Sequence, residues 1–159
     1  MTKLHTIFAV ALLGLALSAP AVMAQSPAEG SIQYRQKVMT GIGSSMGAIG
    51  DILKNKLPLQ ANIAEHAKVI NINSKLIASA FKENVSEGKT DAKPDIWKEW
   101  SKFEEAAKKL ETASAKLAEV AAKGDMAATG DAIKGVGGAC KGCHDDFKKP
   151  QAESYKNAK

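Results

Sequence analysis

The sequence predicts an all-α protein whose helices form an antiparallel, up-down-up-down four-helix bundle. Apolar residues recur at alternating spacings of three and four in four successive segments, which is the period of an amphipathic helix. Aromatic residues make up only 5% of the chain, and alanine and lysine are abundant, which favours helices over a β-sandwich or barrel. Two of the three connections are short, which makes neighbouring helices antiparallel. The length of 159 residues suits one domain.

Residues 1–24 have the features of a bacterial Sec signal peptide. Lys3 supplies a positive charge, residues 7–17 form an apolar run, and Val22–Ala24 forms a small-x-small cleavage site. The alternative is an uncleaved membrane anchor, but the run is shorter than the roughly 20 residues that a span needs. We therefore expect cleavage after Ala24, which leaves residues 25–159 as one soluble domain in the periplasm, with no stable membrane insertion.

The first two helices follow this leader. Ser26 and Pro27 are an N-cap and an N1 proline, so the first helix is predicted to begin there and to end near residues 55–58. The second helix is predicted to fade at residues 86–88. The inward stripe of the first helix is Ile32, Arg35, Met39, Ile42, Met46, Ile49 and Leu53. The inward stripe of the second is Ile63, Ala67, Ile70, Ser74, Ile77 and Phe81.

The third and fourth helices complete the predicted bundle. The third is predicted to start after Pro94 and to stop at residues 123–125, and the fourth to run from about Met126 to Lys149. The inward stripe of the third is Ile96, Trp100, Phe103, Ala107, Leu110, Ser114, Leu117 and Ala121. The inward face of the fourth is Ile133, Val136, Cys140, Cys143 or His144, and Phe147.

The charge pattern argues against a nucleic-acid-binding protein. The formal net charge is +5, but it arises from 22 basic residues against 17 acidic ones that are interspersed along the chain. A polyanion-binding groove needs basic residues gathered on one face. We expect no nucleic-acid partner.

One motif carries chemistry. Residues 140–144 read C-x-x-C-H, which is the attachment signature of a c-type haem. On a helix Cys140 and Cys143 lie on one face, so both thiols can bind the haem vinyl groups as thioethers while His144 ligates the iron. Gly142 leaves room for the macrocycle against the backbone. The sequence therefore predicts one covalently bound haem c.

Other uses of two cysteines fit less well. A thioredoxin-like dithiol would accompany a βαβ pattern, which this sequence lacks. A zinc site needs a fourth ligand, and His66 is the only other histidine after residue 24. Buried, inert cysteines are the remaining alternative. We prefer haem attachment because export, both cysteines and the adjoining histidine all agree with it.

The first helix offers candidates for the other side of the iron. Met39 and Met46 both face inward, and the alternative for each is ordinary core packing. Arg35 lies one turn before Met39 on the same stripe, and an arginine on a buried seam needs an anion. A haem propionate is such an anion, which favours Met39 as the residue over the iron. Arg35 could instead extend to solvent at the end of the bundle.

These residues carry a family resemblance. Tyr34-Arg35-Gln36-x-x-Met39 near the start, Ile96-Trp97-x-x-Trp100-x-x-Phe103 on the third helix and the C-x-x-C-H motif near the end resemble the class II c-type cytochromes. This family includes cytochrome c′ and cytochrome c-556. The resemblance implies a haem-bearing four-helix bundle. It implies that Cys140 and Cys143 attach the haem, that His144 is the proximal and Met39 the distal iron ligand, and that Arg35 contacts a propionate.

The residue at position 39 separates two kinds of protein in this family. Members with leucine, phenylalanine or another non-ligating residue there are five-coordinate cytochromes c′ that bind nitric oxide or carbon monoxide. Members with methionine, as here, are six-coordinate, low-spin electron carriers of the cytochrome c-556 type. The family also often has an arginine four residues after the haem histidine, where this chain has Lys148. The resemblance therefore implies a periplasmic electron-transfer protein rather than an enzyme, with gas binding as the alternative.

Three further expectations concern the surroundings of the haem. His66 and the tryptophans Trp97 and Trp100 are predicted to pack at or near the core, although His66 could compete for the iron. A peroxidase would need a distal histidine and arginine, for which only His66 and Arg35 are available. A basic cluster at the haem-bearing end favours acidic redox partners, with a solvated tail as the alternative. It consists of Lys141, Lys148, Lys149, Lys156 and Lys159. The resemblance also implies a tendency to homodimerise.

Overall fold

A computed structural model of the chain describes residues 25–157. The predicted signal peptide, residues 1–24, lies outside these residues, as does Lys159. The structure has six α-helices and two short 3-10 turns, and residues 25–157 contain no β-strand. The α-helices are α1 (Pro27–Lys54), α2 (Gln60–Ser74), α3 (Ile77–Ala80), α4 (Asp95–Lys98), α5 (Trp100–Ala122) and α6 (Met126–Phe147). The 3-10 turns are Gln151–Glu153 and Tyr155–Asn157. None of the described helices is both long and apolar enough to cross a membrane.

The four long helices α1, α2, α5 and α6 form the predicted four-helix bundle. Helix α1 packs on α2, α2 on α5, and α5 on α6. The ring of four helices is not closed in the same way, because the backbones of α1 and α6 approach each other closely at few or no positions. The bundle is therefore open on the side where its first and last helices face each other.

Helix α1 begins where the sequence predicts. The hydroxyl of Ser26 accepts a hydrogen bond from the Glu29 backbone N–H at 3.3 Å, and the Glu29 carboxylate accepts one from the Ser26 N–H at 3.0 Å. This reciprocal pair satisfies two backbone donors that have no partner inside the helix. Pro27 occupies the first helical position, where a missing N–H costs nothing.

The buried stripe of α1 differs by one residue from the predicted one at three places. Val38 and Ile52 are buried where Met39 and Leu53 were expected, and Ser45 replaces Met46. Met39 and Met46 are half-buried at the edge of the stripe, and Leu53 is exposed. At these three places the residue one position earlier faces the core, even where it is the less apolar of the two, as Ser45 is beside Met46. Met39 is left at the rim, beside the open side of the bundle.

Two predicted helices are interrupted. The second helix ends at Ser74, whose hydroxyl donates to the Asn71 carbonyl at 2.7 Å, and the helix resumes as α3. The third begins after Pro94 as predicted, but Glu99 leaves the helical conformation and separates α4 from α5. The inward stripes continue across both interruptions, because Ile77, Phe81 and Ile96 are buried.

An aromatic cluster closes the core below the open side of the bundle. The ring of Phe103 lies 5.2 Å from that of Phe81, 5.6 Å from that of Trp100 and 5.4 Å from that of Phe147, measured between centroids. Phe103 and Phe147 meet edge-to-face, an arrangement that adds to the effect of their burial. The cluster joins the loop after α3 to α5 and the end of α6, and so sets the spacing of the elements around the opening.

Candidate functional site

The opening between α1 and α6 leads into a cavity of about 430 Å³, which is within the range of small-molecule and cofactor sites. Arg35 and Met39 line it from α1, and Cys143 and His144 line it from α6. Its floor is apolar and is formed by the residues Phe81, Ile96, Phe103 and Phe147. The structure therefore brings residues separated by about a hundred positions in the sequence to one site.

Helix α6 presents both cysteines on one face, as their spacing predicts. Cys140 and Cys143 are half-buried against the core, and their thiols form no disulfide. Burial raises the pKa of Cys143 to about 11, and it also raises the pKa of Cys140 above its ordinary value. Redox-active dithiols need a lowered thiol pKa. The raised pKa of each thiol disfavours the thiolate that disulfide exchange requires.

His144 follows the second cysteine and borders the cavity. Its side chain is exposed to the cavity, yet the surrounding protein lowers the pKa of His144, and the positive charge of Lys148 lowers it further. Asp145 opposes this shift. The neutral imidazole that results keeps a nitrogen lone pair with which it can bind a metal.

The structure distinguishes the two inward methionines of α1. Met39 is half-buried and lines the cavity. Met46 lies two turns further along the helix, packs against the core and does not line the cavity. Of the two thioethers, only that of Met39 shares the cavity with His144.

Arg35 is a buried charge with an unfilled hydrogen-bonding group. It is only 3% exposed and lies between two aromatic rings, its guanidinium carbon 5.1 Å from the Phe81 centroid and 5.5 Å from the Trp97 centroid. Its Nη2 donates to the Val85 carbonyl at 2.7 Å, but its Nη1 has no hydrogen-bond partner among the described residues. Burial lowers the pKa of Arg35, and Glu83 opposes this. An unpartnered charged donor is costly, so this atom marks a place for an anion.

Other candidates from the sequence lie away from the cavity or have packing roles. His66 is half-buried on α2 and does not line the cavity. The indole N–H of Trp97 donates to the Phe81 carbonyl at 2.8 Å, and Trp100 packs on Phe103. Within residues 25–157 no three histidine, cysteine or acidic side chains cluster in a way that could hold a metal ion. A second cavity of about 430 Å³, near Gln60 and Met126, has no thiol or imidazole in its lining.

Two residues of the cavity lining lie outside the predicted helical stripes. Gln36 and Tyr155 border the cavity, and the amide nitrogen of Gln36 donates to the Tyr155 hydroxyl oxygen at 3.2 Å. Gln36 lies off the apolar stripe, and Tyr155 follows the last predicted helix. Helical periodicity could not have indicated either residue.

A four-helix bundle with a C-x-x-C-H motif on its last helix, beside an apolar-floored cavity with an unpartnered arginine, defines a covalent haem-binding bundle. The family model for cytochrome c′ matches residues 30–148, and the chain belongs to this family. The family binds a covalently attached c-type haem, and haem c is the cofactor.

The relatives include proteins named cytochrome c′ and proteins named cytochrome c-556. The chain is 37% identical over 126 residues to cytochrome c′ of Rubrivivax gelatinosus, which covers 78% of this chain and 97% of that one. It is 36% identical over 147 residues to cytochrome c-556 of Agrobacterium fabrum, covering 92% and 96%. The structure of cytochrome c prime from Shewanella frigidimarina superimposes with a TM-score of 0.73 at 29% identity, over 80% of this chain and 100% of the other.

The residues around the cavity fit a haem. The floor is apolar, as the macrocycle requires, whereas the guanidinium of Arg35 supplies an unused donor for a propionate. The Cys143 thiol, the His144 imidazole and the Met39 thioether reach the site from two helices that have few or no close backbone contacts with each other. Thiol and imidazole are the groups that c-type haem uses for attachment and ligation.

Proposed function

We propose that this protein is a periplasmic electron carrier whose haem iron is held between His144 and Met39. Cys140 and Cys143 attach the haem as thioethers, and Arg35 binds a propionate. The observation that carries the proposal is that Met39 on α1 and His144 on α6 line one cavity. The localisation rests on the sequence features of residues 1–24 and on the family.

The side chains of the cavity suit electron transfer in three ways. When bound, the haem supplies an iron that can cycle between its ferric and ferrous forms. A thioether is a weak donor that favours the ferrous form, so Met39 raises the reduction potential. Because His144 and Met39 belong to long helices, their positions change little between the two forms, which keeps reorganisation small. The apolar floor excludes water from the iron.

Gas binding is the second candidate function, and specific observations favour it. The name cytochrome c′ is the more frequent among the relatives, and a related structure is a nitric oxide complex of a variant of cytochrome c prime from Alcaligenes xylosoxidans (TM-score 0.71, 29% identity, 80% of this chain and 100% of that one). Met39 is also only half-buried, so it is less firmly fixed than a core residue. In this alternative Met39 leaves the distal side of the iron open or is readily displaced.

The optical spectra of the holoprotein and of Met39→Ala decide between the two functions. We expect a low-spin wild-type spectrum with a sulfur-to-iron charge-transfer band that is lost in Met39→Ala, and slow binding of carbon monoxide that becomes fast in the variant. Met46→Ala is the matched control, because it removes the second thioether of the same helix, and it should retain the band. A high-spin wild-type spectrum that Met39→Ala does not alter would favour the gas-binding function instead.

Redox partners are proposed from the charges at the mouth of the cavity. Lys148 and Lys156 line it, whereas Lys141 is engaged with Asp145 at 2.5 Å and Lys149 donates to the Thr90 carbonyl at 3.3 Å. Two of the predicted basic residues are thus free to attract an acidic partner to the haem edge.

A homodimer is proposed from an exposed apolar row on α2. Proteins of this family are often homodimers. Val69 and Ile72 on α2, and Leu76 just before α3, are 42%, 60% and 36% exposed, and their spacings of three and four place them along one outward side of this segment. The face is unpartnered in the single chain, and a second copy would cover it.

A further inference from the structure

The segment that follows α6, residues 149–157, turns back over the cavity, and we call it the C-terminal strap. It starts from a short antiparallel contact in which Lys93 N–H donates to the Phe147 carbonyl at 3.0 Å and Lys149 N–H donates to the Asp91 carbonyl at 2.8 Å. Two 3-10 turns then bring Tyr155 and Lys156 to the cavity lining. The strap begins one residue beyond the part of the chain that the family model matches.

One carboxylate holds the strap in place. The Oδ2 atom of Asp91 accepts a hydrogen bond from the Ser154 hydroxyl at 3.0 Å, and its Oδ1 atom accepts one from the Tyr155 N–H at 3.0 Å. Ser154 is only 4% exposed and Asp91 is half-buried, so this contact is partly shielded from water. Hydrogen bonds to an ionised group are stronger than neutral ones. Asp91 thus acts as a latch for a segment in which Ser154 is the only buried residue.

The latch orients the hydroxyl group of Tyr155. Tyr155 is half-buried, and its hydroxyl oxygen accepts a hydrogen bond from the Gln36 amide nitrogen, which also donates to the Lys89 carbonyl at 2.8 Å. The hydroxyl proton is left for another acceptor, because a phenol is both an acceptor and a donor. The unpartnered Nη1 of Arg35 belongs to the same cavity. The polar rim therefore presents two unused donors, one from α1 and one from the strap.

We propose that Tyr155 donates a hydrogen bond to a haem propionate and that the strap, latched by Asp91, covers this edge of the haem. The proposal rests on the haem occupying the cavity as described under the proposed function. The donated hydrogen bond spreads the negative charge of the propionate, and the strap keeps water from the haem edge, where drier surroundings disfavour the charged ferric form. Both effects disfavour the ferric form, so the strap raises the reduction potential.

The first test compares the only two tyrosines of the chain in the holoprotein. Tyr155→Phe removes the hydroxyl and keeps the ring, and Tyr34→Phe is the matched control because Tyr34 is exposed on α1 and does not line the cavity. We expect Tyr155→Phe to shift the propionate bending band in the resonance Raman spectrum and to lower the reduction potential. Tyr34→Phe should change neither. A propionate band and a potential that Tyr155→Phe leaves at their wild-type values would overturn the proposal.

The second test releases the latch. Asp91→Ala should increase hydrogen exchange at the Tyr155 amide by about tenfold or more, because the Asp91 carboxylate accepts from that amide. It should also shift the propionate band in the same direction as Tyr155→Phe. Asp131→Ala is the matched control, since Asp131 is exposed on α6 and pairs only with Lys134. Unchanged exchange in Asp91→Ala would show that the carboxylate does not hold the strap, and would contradict the proposal.

The two proposals fail in different measurements. His144 and Met39 ligation is read from the sulfur-to-iron band, whereas the contact of Tyr155 is read from the propionate band. A high-spin wild-type protein whose propionate band responds to Tyr155→Phe would contradict the proposed ligation and support the strap. A low-spin protein whose propionate band does not respond to Tyr155→Phe would support the proposed ligation and contradict the proposed strap.

Discussion

At the scale of single residues, Arg35 shows most clearly how this chain is built around a group that it does not itself supply. Its burial, its place between Phe81 and Trp97 and its unpartnered Nη1 are unfavourable for a protein without an anion at this position. A propionate would supply that anion. The sequence suggested the pairing from the position of Arg35 on the inward stripe, and the unpartnered atom supports it.

Replacing Arg35 tests whether an anion is its partner. Arg35→Gln should lower the reduction potential, since a positive charge near the haem favours the ferrous form, and should reduce the free energy of unfolding by about 1–3 kcal/mol. Lys37→Gln, which removes an exposed charge from the same helix, should alter both quantities little. The measurements are redox titration and chemical denaturation of the holoproteins. A more stable Arg35→Gln protein would mean that Arg35 has no anionic partner.

Met39 is a candidate site residue that the apolar pattern identified for an incomplete reason. The predicted stripe placed it in the core, but Val38 takes the buried position and Met39 lies at the rim. Met39 nevertheless lines the cavity, as do the buried side chains of Ile96 and Phe103. The one-residue offset between the predicted and the observed stripe therefore leaves Met39 in the cavity lining.

At the scale of elements, the starts of the first, third and fourth predicted helices were more predictable than the continuity of the helices, and the second ends at Ala80 rather than at residues 86–88. The capping box of Ser26 and Glu29 and the N-cap at Asp125, which accepts from the Ala128 N–H at 2.9 Å, are local features that short stretches of sequence encode. The breaks at Ser74 and Glu99 occur within periodic patterns, and the apolar stripe continues across them. Periodicity alone therefore predicted single helices there.

Removing the N-cap of α1 should lower the free energy of unfolding by the amount that is usual for a helix N-cap. Ser26→Ala deletes the hydroxyl that accepts from the Glu29 N–H, and the expected loss in the free energy of unfolding is about 1 kcal/mol. Ser44→Ala is the control, because Ser44 is exposed within α1, where alanine is the better helix former. Guanidinium denaturation of the two variants measures the difference. Equal stabilities of Ser26→Ala and wild type would mean that this cap contributes nothing.

At the scale of the whole molecule, the incomplete closure between α1 and α6 is the feature on which the proposed haem-dependent function depends. The other three neighbouring pairs of long helices pack closely, and the aromatic cluster around Phe103 holds the elements below the opening. In the proposed function the haem fills the remaining space, which would make the cofactor part of the core. The outward face of α2 is the second surface that the single chain leaves uncovered.

The exposed row on α2 should mediate self-association. Ile72→Lys places a charge at the most exposed of its three apolar residues, and the expected result is a monomer where the wild type is a dimer. Met126→Lys is the control, since Met126 is an exposed apolar residue at the start of α6. Sedimentation of the two variants and the wild type gives the oligomeric state. If all three sediment as the same species, α2 is not the interface.

The charges at the cavity mouth should affect reaction rates with small redox ions. Ferricyanide, an anion, should oxidise the reduced protein faster at low salt, and Lys148→Gln combined with Lys156→Gln should reduce both the rate and its salt dependence. Lys116→Gln, on α5 outside the cavity, is the control. Stopped-flow kinetics at several ionic strengths measures these rates. A rate that the double substitution leaves unchanged would indicate that electrons leave by another edge.

Short stretches of the sequence predicted the four amphipathic helices, the start of α1, the haem-attachment motif and Met39 as the preferred candidate for the distal side. These are local properties, since helical periodicity, caps and a five-residue motif are each encoded within short segments. Three features emerge from the tertiary contacts alone: Met46 does not line the cavity, Nη1 of Arg35 lacks a partner among the described residues, and Asp91 accepts a hydrogen bond from the Tyr155 backbone N–H at the rim. These facts depend on contacts between residues far apart in the chain, and no local pattern records such contacts.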